Sequence, residues 1–129
     1  VAADVDWGSV HLEDVEGTHV VRANRISSER LIGDVNFTAD GDGMDVELWP
    51  WYGGTITLDS WGDVDLQLPY GGGYDIEVWG DPEYHLQIAD LGWDEEVIGA
   101  GYYAAHRWPA DIRIDVFVSD GHFELRESR

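Results

Sequence analysis

The segment "DGDGMDVEL", which begins at Asp40, combines acidic side chains with a glycine-rich turn. Asp40, Asp42 and Asp45 offer carboxylate oxygens, the ligands that Ca²⁺ prefers on a flexible loop. Gly41, Gly43 and Asp45 also match part of the G-x-G-x-D repeat of calcium β-rolls. These three aspartates are therefore a candidate calcium site, and an acidic turn that binds no ion is the alternative.

The same segment departs from both known calcium patterns. Calcium β-rolls bind ions between consecutive copies, and the next unit, "GGTITLD", has no aspartate at the matching place. Counted from Asp40, the last position of an EF-hand loop, which requires glutamate, is Trp51. Calcium is the one cofactor that the residues suggest, and no other cofactor is expected.

Paired carboxylates for glycoside hydrolysis are the second candidate chemistry. Such enzymes hold two carboxyl groups about 5–5.5 Å or about 6.5–9.5 Å apart. Asp63 and Asp65 point the same way on a predicted strand, but Thr55 and Thr57 fill the same slots in another copy of the repeat. With 27 acidic residues, nearly any fold supplies carboxylate pairs by chance. We therefore predict that the chain is not an enzyme, and a polysaccharide-active enzyme ranks third among the hypotheses.

The five histidines form no recognisable metal motif. No H-x-x-x-H pair lies on a predicted helix, and the chain has no cysteine that could join a metal site. His11 and His122 follow the alternation of the repeat in its outward slots. Both are predicted to be solvated strand residues.

Aromatic side chains supply the remaining candidate site. The chain has seven tryptophans and six tyrosines, and "LWPWYGG" gathers Trp49, Trp51 and Tyr52 around Pro50. Rings exposed at such a corner stack on sugars or anchor a protein partner. The alternative is that these rings cap the open ends of a small core or fill its corners.

A short repeat must position all of these residues. In each copy a glycine precedes an apolar alternation, as in Gly62, Val64 and Leu66, and the alternation places one set of side chains inward and the other in solvent. Copies with this spacing begin at Gly8, Gly33, Gly54, Gly62 and Gly121, and copies with one extra residue begin at Gly43 and Gly73.

This pattern predicts an all-β fold of short, glycine-led strands. The self-similarity favours a single-stranded β-helix or solenoid, in which two units form a coil of roughly 20 residues. A β-sandwich is the alternative, and in it the strands that follow the glycines would pair antiparallel. The length of 129 residues suits one domain, residues 1–129, and the repeat lapses in an irregular excursion at about 81–110.

The charge balance excludes some partners. Twenty-seven acidic residues face seven arginines and no lysine, for a net charge of −20. Such a surface repels phosphate backbones and anionic lipids, and no apolar run approaches the roughly 18 residues of a membrane helix. Nucleic acid and direct membrane insertion of this segment are therefore not expected. Adaptation to concentrated salt and the ordinary acidic bias of a GC-rich genome explain the acidity equally well.

The glycine-led units, the "DVDLQLP" segment, the irregular stretch after it and the final "SDGHFELRE" resemble the prokaryotic putative-adhesin β-strand-repeat family of unknown function. The resemblance covers the chain from Asp6 to Glu127. It implies a right-handed β-solenoid outside the cytoplasm, either secreted or at the cell surface, and it brings no catalytic residues.

Together these observations predict a non-enzymatic structural or adhesion-type module. Its expected partners are other copies of itself, in an oligomer or filament, or a cell-surface glycan or protein. The alternative is a carbohydrate-binding module that uses Trp49, Trp51 and Tyr52.

Overall fold

A computed structural model describes residues 2–5, 8–48, 54–69, 73–80, 83–87, 94–97, 102–107 and 112–128. Every regular element in these ranges is a β-strand, which confirms the predicted all-β class. The strands are β1 (Ala2–Asp4), β2 (Ser9–Glu13), β3 (Glu16–Leu48), β4 (Gly54–Ser60), β5 (Val64–Pro69), β6 (Tyr74–Gly80), β7 (Glu83–Gln87), β8 (Asp94–Val97), β9 (Tyr102–Arg107), β10 (Ile112–Val118) and β11 (His122–Ser128). No helix in the described ranges has the length and apolarity needed to cross a membrane.

Alternating side chains form the core, as the repeat predicts. Ile76 and Val78 of β6 are fully buried, whereas Glu77 between them is partly exposed. The outward slots of Asp63 and His11 are exposed, in agreement with their predicted orientation. The largest fully buried side chains are Tyr74, Phe37, Phe123, Ile26, Leu31, Leu58, Leu66, Leu68, Ile76, Ile114, Leu125 and His19.

The strands form one sheet of 11 strands, which divides into two ladders. The first ladder contains β1, β4, β10, β6, β9 and β8, and the second contains β2, β5, β11 and β7. The long strand β3 passes through both ladders, because it pairs with β1 and β4 in the first and with β2 and β5 in the second.

Copies of the repeat that lie side by side pair in parallel. Val10 pairs with Ile26, 16 positions later, and Met44 pairs with Val64, 20 positions later. These spacings agree with a coil of roughly 20 residues. Among the described strands, no two copies of the repeat pair antiparallel with each other, as a β-sandwich would require. The structure establishes an all-β, mostly parallel sheet, and the right-handed solenoid stays a prediction.

The order of the last strands departs from their order in the sequence. Strand β10 lies between β4 and β6 in the first ladder, and β11 lies between β5 and β7 in the second. The last two described strands therefore separate β4 and β5 from β6 and β7, the strands that follow them in the sequence.

The stretch predicted as an irregular excursion contains three described strands. Strand β7 continues the parallel second ladder, but β9 runs antiparallel to β6, and β8 runs antiparallel to β9. The parallel order of the first ladder thus ends at β6, and an antiparallel pair forms its edge.

One corner of the coils is built by charged residues instead of glycine. Asp14 and Arg30 both have positive φ, 54° and 52°, a conformation that side chains other than asparagine or aspartate rarely adopt. The Arg30 guanidinium donates to both carboxylate oxygens of Asp14. This hydrogen bonding lowers the pKa of Asp14 below its ordinary value. The ion pair therefore joins two neighbouring corners, at Asp14 and Arg30, whose backbone has positive φ.

Candidate functional site

The structure describes the residues of the predicted calcium site but not those of the predicted aromatic site. Trp49, Trp51 and Tyr52 lie outside the described residues, so the sugar-binding role of this corner stays a prediction. Asp40, Asp42 and Asp45 lie on β3, where all three side chains are exposed.

The three aspartates each face a different neighbour. Asp40 accepts a hydrogen bond of 2.8 Å from Arg22, and Asp42 accepts one of 2.9 Å from Asn24. Asp45 lies in register with Asp65 of β5. Across the described ranges, no group of three histidine, cysteine, aspartate or glutamate side chains could hold a metal ion. Calcium binding stays a prediction, and the stability of the chain across a calcium titration tests it.

Asp45 begins a row of carboxylates on the outer face of the second ladder. Asp65 is its register partner on β5, and Glu124 of β11 is the next residue in that row. Partial burial raises the pKa of Asp45, and the charge of Asp65 raises it further. Arg126 offsets part of this repulsion, because its Nη2 lies 3.0 Å from an oxygen of Asp65.

We expect Asp45→Asn to stabilise the fold at pH 7 by a few tenths of a kcal/mol, because like charges directly opposite in a sheet destabilise it and solvent screens this exposed pair. The folded-state pKa is raised, so ionisation of Asp45 costs stability as the pH rises through that pKa. The gain should therefore be full at pH 7 and vanish below the ordinary value of 3.8. Urea denaturation at both pH values measures it.

Asp42→Asn is the matched control for this prediction. It makes the same change in net charge, but Asp42 accepts a hydrogen bond from Asn24 instead of facing a carboxylate. An equal gain from both variants would show that the net charge of the chain, and not the contact with Asp65, sets the effect.

A shallow polar groove with a volume of about 290 Å³ lies on the same outer face. Its lining includes His11 and Ser27 at one side and Asp45, Gln67 and Arg126 at the other. The Nδ1 atom of His11 is 2.7 Å from the Ser27 hydroxyl, a cross-strand hydrogen bond. Contacts between neighbouring strands therefore organise the groove.

A cluster around Arg113 lies on the outer face of the first ladder. Its guanidinium is 2.8 Å from Glu77, 3.2 Å from Asp75 and 3.2 Å from Asp115. Hydrogen bonding to Asp115 is the main reason that the pKa of Arg113 is raised, and the charges of Glu77 and Asp75 add to it. One cation thus joins three carboxylates on two neighbouring strands, β10 and β6.

We expect Arg113→Gln to lower the free energy of unfolding by about 1–2 kcal/mol in dilute buffer, because three carboxylates lose their shared cation. The loss should shrink in 1 M salt, where the Debye length falls to about 3 Å. Thermal and urea unfolding at both salt concentrations measure this effect.

Arg22→Gln provides the control for Arg113→Gln. Arg22 and Asp40 form a pair with side chains 62% and 45% exposed. Pairs with this exposure contribute about 0.2–1 kcal/mol. If the two variants lost equal stability, the cluster around Arg113 would contribute no more to stability than a single exposed ion pair.

The structure also shows an outward aromatic pair, a half-buried Trp79 against an exposed Phe117, that was not singled out from the sequence. Trp79 of β6 and Phe117 of β10 are register partners, and their rings stack with centroids 4.9 Å apart and planes 13° apart. Phe117 is 41% exposed, and Trp61 is 61% exposed. The signal was present in the alternation, since Phe117 fills an outward slot between Val116 and Val118.

Comparisons with known proteins give little beyond this description. No protein-family model matches the chain, and no curated protein matches it. A solved structure of a putative cell adhesion protein from Clostridium sporogenes is similar over 98% of this chain and 92% of that chain, with 10% identity and a TM-score of 0.49. The resemblance to the adhesin-repeat family is therefore carried by the sequence motifs alone.

Proposed function

We propose that the chain is a non-enzymatic structural or adhesion-type module that acts outside the cytoplasm. Under this proposal the two parallel ladders are the faces of a right-handed β-solenoid. The main support is the in-register stacking of the repeat: Ile56 pairs with Val35 on one side and Ile114 on the other, so buried side chains continue from coil to coil. Such a stack presents a long, regular surface, which suits a scaffold or a contact surface.

The charged side chains on the outer faces support the same proposal. Arg113 joins β10 to β6, Arg126 joins β11 to β5, and Arg22 bonds to Asp40 within β3. These charges tie neighbouring strands together, as structural ion pairs do. This arrangement suits a scaffold whose neighbouring strands are joined by ion pairs on the outer face.

Sizing and negative-stain microscopy across salt concentrations test the structural role. Self-assembly into oligomers or filaments is expected to increase with salt, because screening weakens the repulsion between copies with a net charge of −20. A monomer at every salt concentration would count against self-assembly. Fractionation of the native host tests the extracytoplasmic location, and recovery from the cytoplasm alone would refute it.

A second candidate function is carbohydrate binding, and the stacked pair of Trp79 and Phe117 favours it. Exposed aromatic faces stack on the apolar faces of sugars, and the row that holds this pair also places Asp59 beside Phe117. A glycan array with the unmodified chain, Trp79→Ala and Trp49→Ala separates this pair from the corner predicted from the sequence. Absence of binding to any glycan, or binding unchanged in both variants, would reject these aromatic sites.

A further inference from the structure

The last two strands fill a gap between two consecutive coils. Ile114 of β10 pairs with Ile56 of β4 on one side and with Ile76 of β6 on the other. Phe123 of β11 is paired on both sides in the same way in the second ladder. We call β10 and β11 the C-terminal strand pair, and we call the gap between β4/β5 and β6/β7 the slot.

The two walls of the slot have the spacing of neighbouring coils. Ile56 and Ile76 are 20 positions apart, the same separation as Met44 and Val64, which pair directly. Strands β6 and β7 therefore have the register of the next coil, yet the C-terminal strand pair is inserted before them. The pairing inside the slot is made by main-chain groups, which any strand with the same alternation can supply.

Charge restricts which strands fit the slot. Its walls present Asp75 and Glu77 from β6 and Asp65 from β5. Arg113 and Arg126 of the inserted pair meet these carboxylates, at 3.2 Å from Asp75, 2.8 Å from Glu77 and 3.0 Å from Asp65. Arginine is scarce in this chain, with seven basic residues against 27 acidic ones. The slot therefore selects a strand pair that carries cations at these two positions. A second copy of the chain has such a strand pair, because its sequence is identical.

The connection into the slot is short. Arg107 at the end of β9 and Ile112 at the start of β10 both pair with Tyr74, from opposite sides of β6. Only four residues separate them in the sequence. Exchange of an identical element between copies is a low-cost route to dimers, because the exchanged form keeps the contacts of the element and changes only its connection.

We propose that the C-terminal strand pair exchanges between copies, so that the pair of one copy fills the slot of another. The exchanged form makes the same hydrogen bonds and ion pairs as the monomer, and it links two copies non-covalently because the chain of one copy continues into the slot of the other. This inference goes beyond the proposed role and does not depend on it, since it concerns which copy supplies the strands and not what the outer surface binds.

Disulfide trapping between two full-length variants tests the exchange. The natural chain has no cysteine. One variant carries Thr57→Cys and the other carries Asp115→Cys, at two outward positions that are register partners. Neighbouring strands hold such residues at a distance that suits a disulfide. The two variants are refolded together, oxidised mildly and separated on a non-reducing denaturing gel.

We expect covalent heterodimer at a yield severalfold above that of a control mixture of Asp42→Cys and Asp115→Cys. Asp42 is exposed and bonds to Asn24, so its variant reports collisions between native surfaces. Equal yields in the two mixtures would overturn the proposal. Glycan binding and cellular location do not enter this readout, so its failure leaves the proposed function to its own tests.

Two further measurements show whether the result depends on a local effect of the substitutions. Asp59→Cys with Phe117→Cys is a second pair of register partners in the same ladder. The double variant Thr57→Cys/Asp115→Cys should give a monomer with an internal disulfide when refolded at low concentration and linked oligomers at high concentration. An internal disulfide at every concentration would contradict exchange, and it would also show that the variant folds.

Discussion

Gly33→Ala is expected to lower the free energy of unfolding by about 4 kcal/mol, a large part of the 5–15 kcal/mol that stabilises a typical domain. Gly33 has a φ of +113°, a conformation that residues with a Cβ adopt only at a cost of about 1–3 kcal/mol. A Cβ at this position would also lie 1.8 Å from the carbonyl oxygen of Gly17. That neighbour is main chain 16 residues earlier in β3, so it cannot rotate away.

Gly17→Ala separates these two causes. Gly17 has a similar φ of +119°, but a Cβ there would meet nothing within 4 Å. Its loss should reflect backbone strain alone, about 1–3 kcal/mol. Urea denaturation of both variants gives the difference, which measures the cost of the close main-chain approach between Gly33 and Gly17. Equal losses would mean that these two segments of β3 separate easily and that the repeat glycines serve the turn alone.

The alternation in the sequence determined which face each residue takes, and the structure confirms this at many positions. Val64 and Leu66 are fully buried, while Asp63 and His11 are exposed. This part of the fold was predictable because a strand places successive side chains on opposite faces, whatever its neighbours are. Parallel stacking did not follow from this argument alone, because the same alternation also suits the antiparallel strands of a β-sandwich.

The order of the strands could not be predicted in the same way. Strands β4, β6 and β10 share one alternation, so each can pair with either of the others and bury the same residues. What distinguishes them is the position of single charges. Arg113 meets Asp75 across a separation of 38 residues, and this pair becomes visible only when the neighbours are known. The apolar pattern sets the faces, and the arginine contacts accompany the observed order of the strands.

The candidate site shows the same division. The exposure of Asp40, Asp42 and Asp45 followed from the acidic composition of the segment, although the structure places them on β3 instead of the predicted turn. Their contacts did not, because each aspartate faces a residue from β5 or from a distant part of β3. The stacking of Trp79 on Phe117 likewise depends on β10 being inserted beside β6. Side chains brought together by long-range pairing carry no local signal in the sequence.

Phe123→Ala is expected to cost about 3–5 kcal/mol, the range for removing a large ring from a packed core. Phe123 is fully buried in β11 and lies in register with Val64 of β5 and Tyr84 of β7. Its ring therefore belongs to the core shared by the two walls of the slot. If the C-terminal strand pair is an integral part of the core, this loss should appear in the single cooperative unfolding transition of the whole chain.

Phe117→Ala is the matched control, because it removes the same ring from the same strand pair at an outward position. Phe117 is 41% exposed and stacks on Trp79, so its removal should cost about 0.5–1.5 kcal/mol. Denaturant unfolding followed by tryptophan fluorescence and by circular dichroism compares the variants. A small loss for Phe123→Ala, or a separate early transition, would show that the strand pair is only loosely attached. A large loss would mean that the fold persists only while the slot is filled. Exchange between copies would then require each slot to receive the strand pair of another copy when its own strand pair leaves.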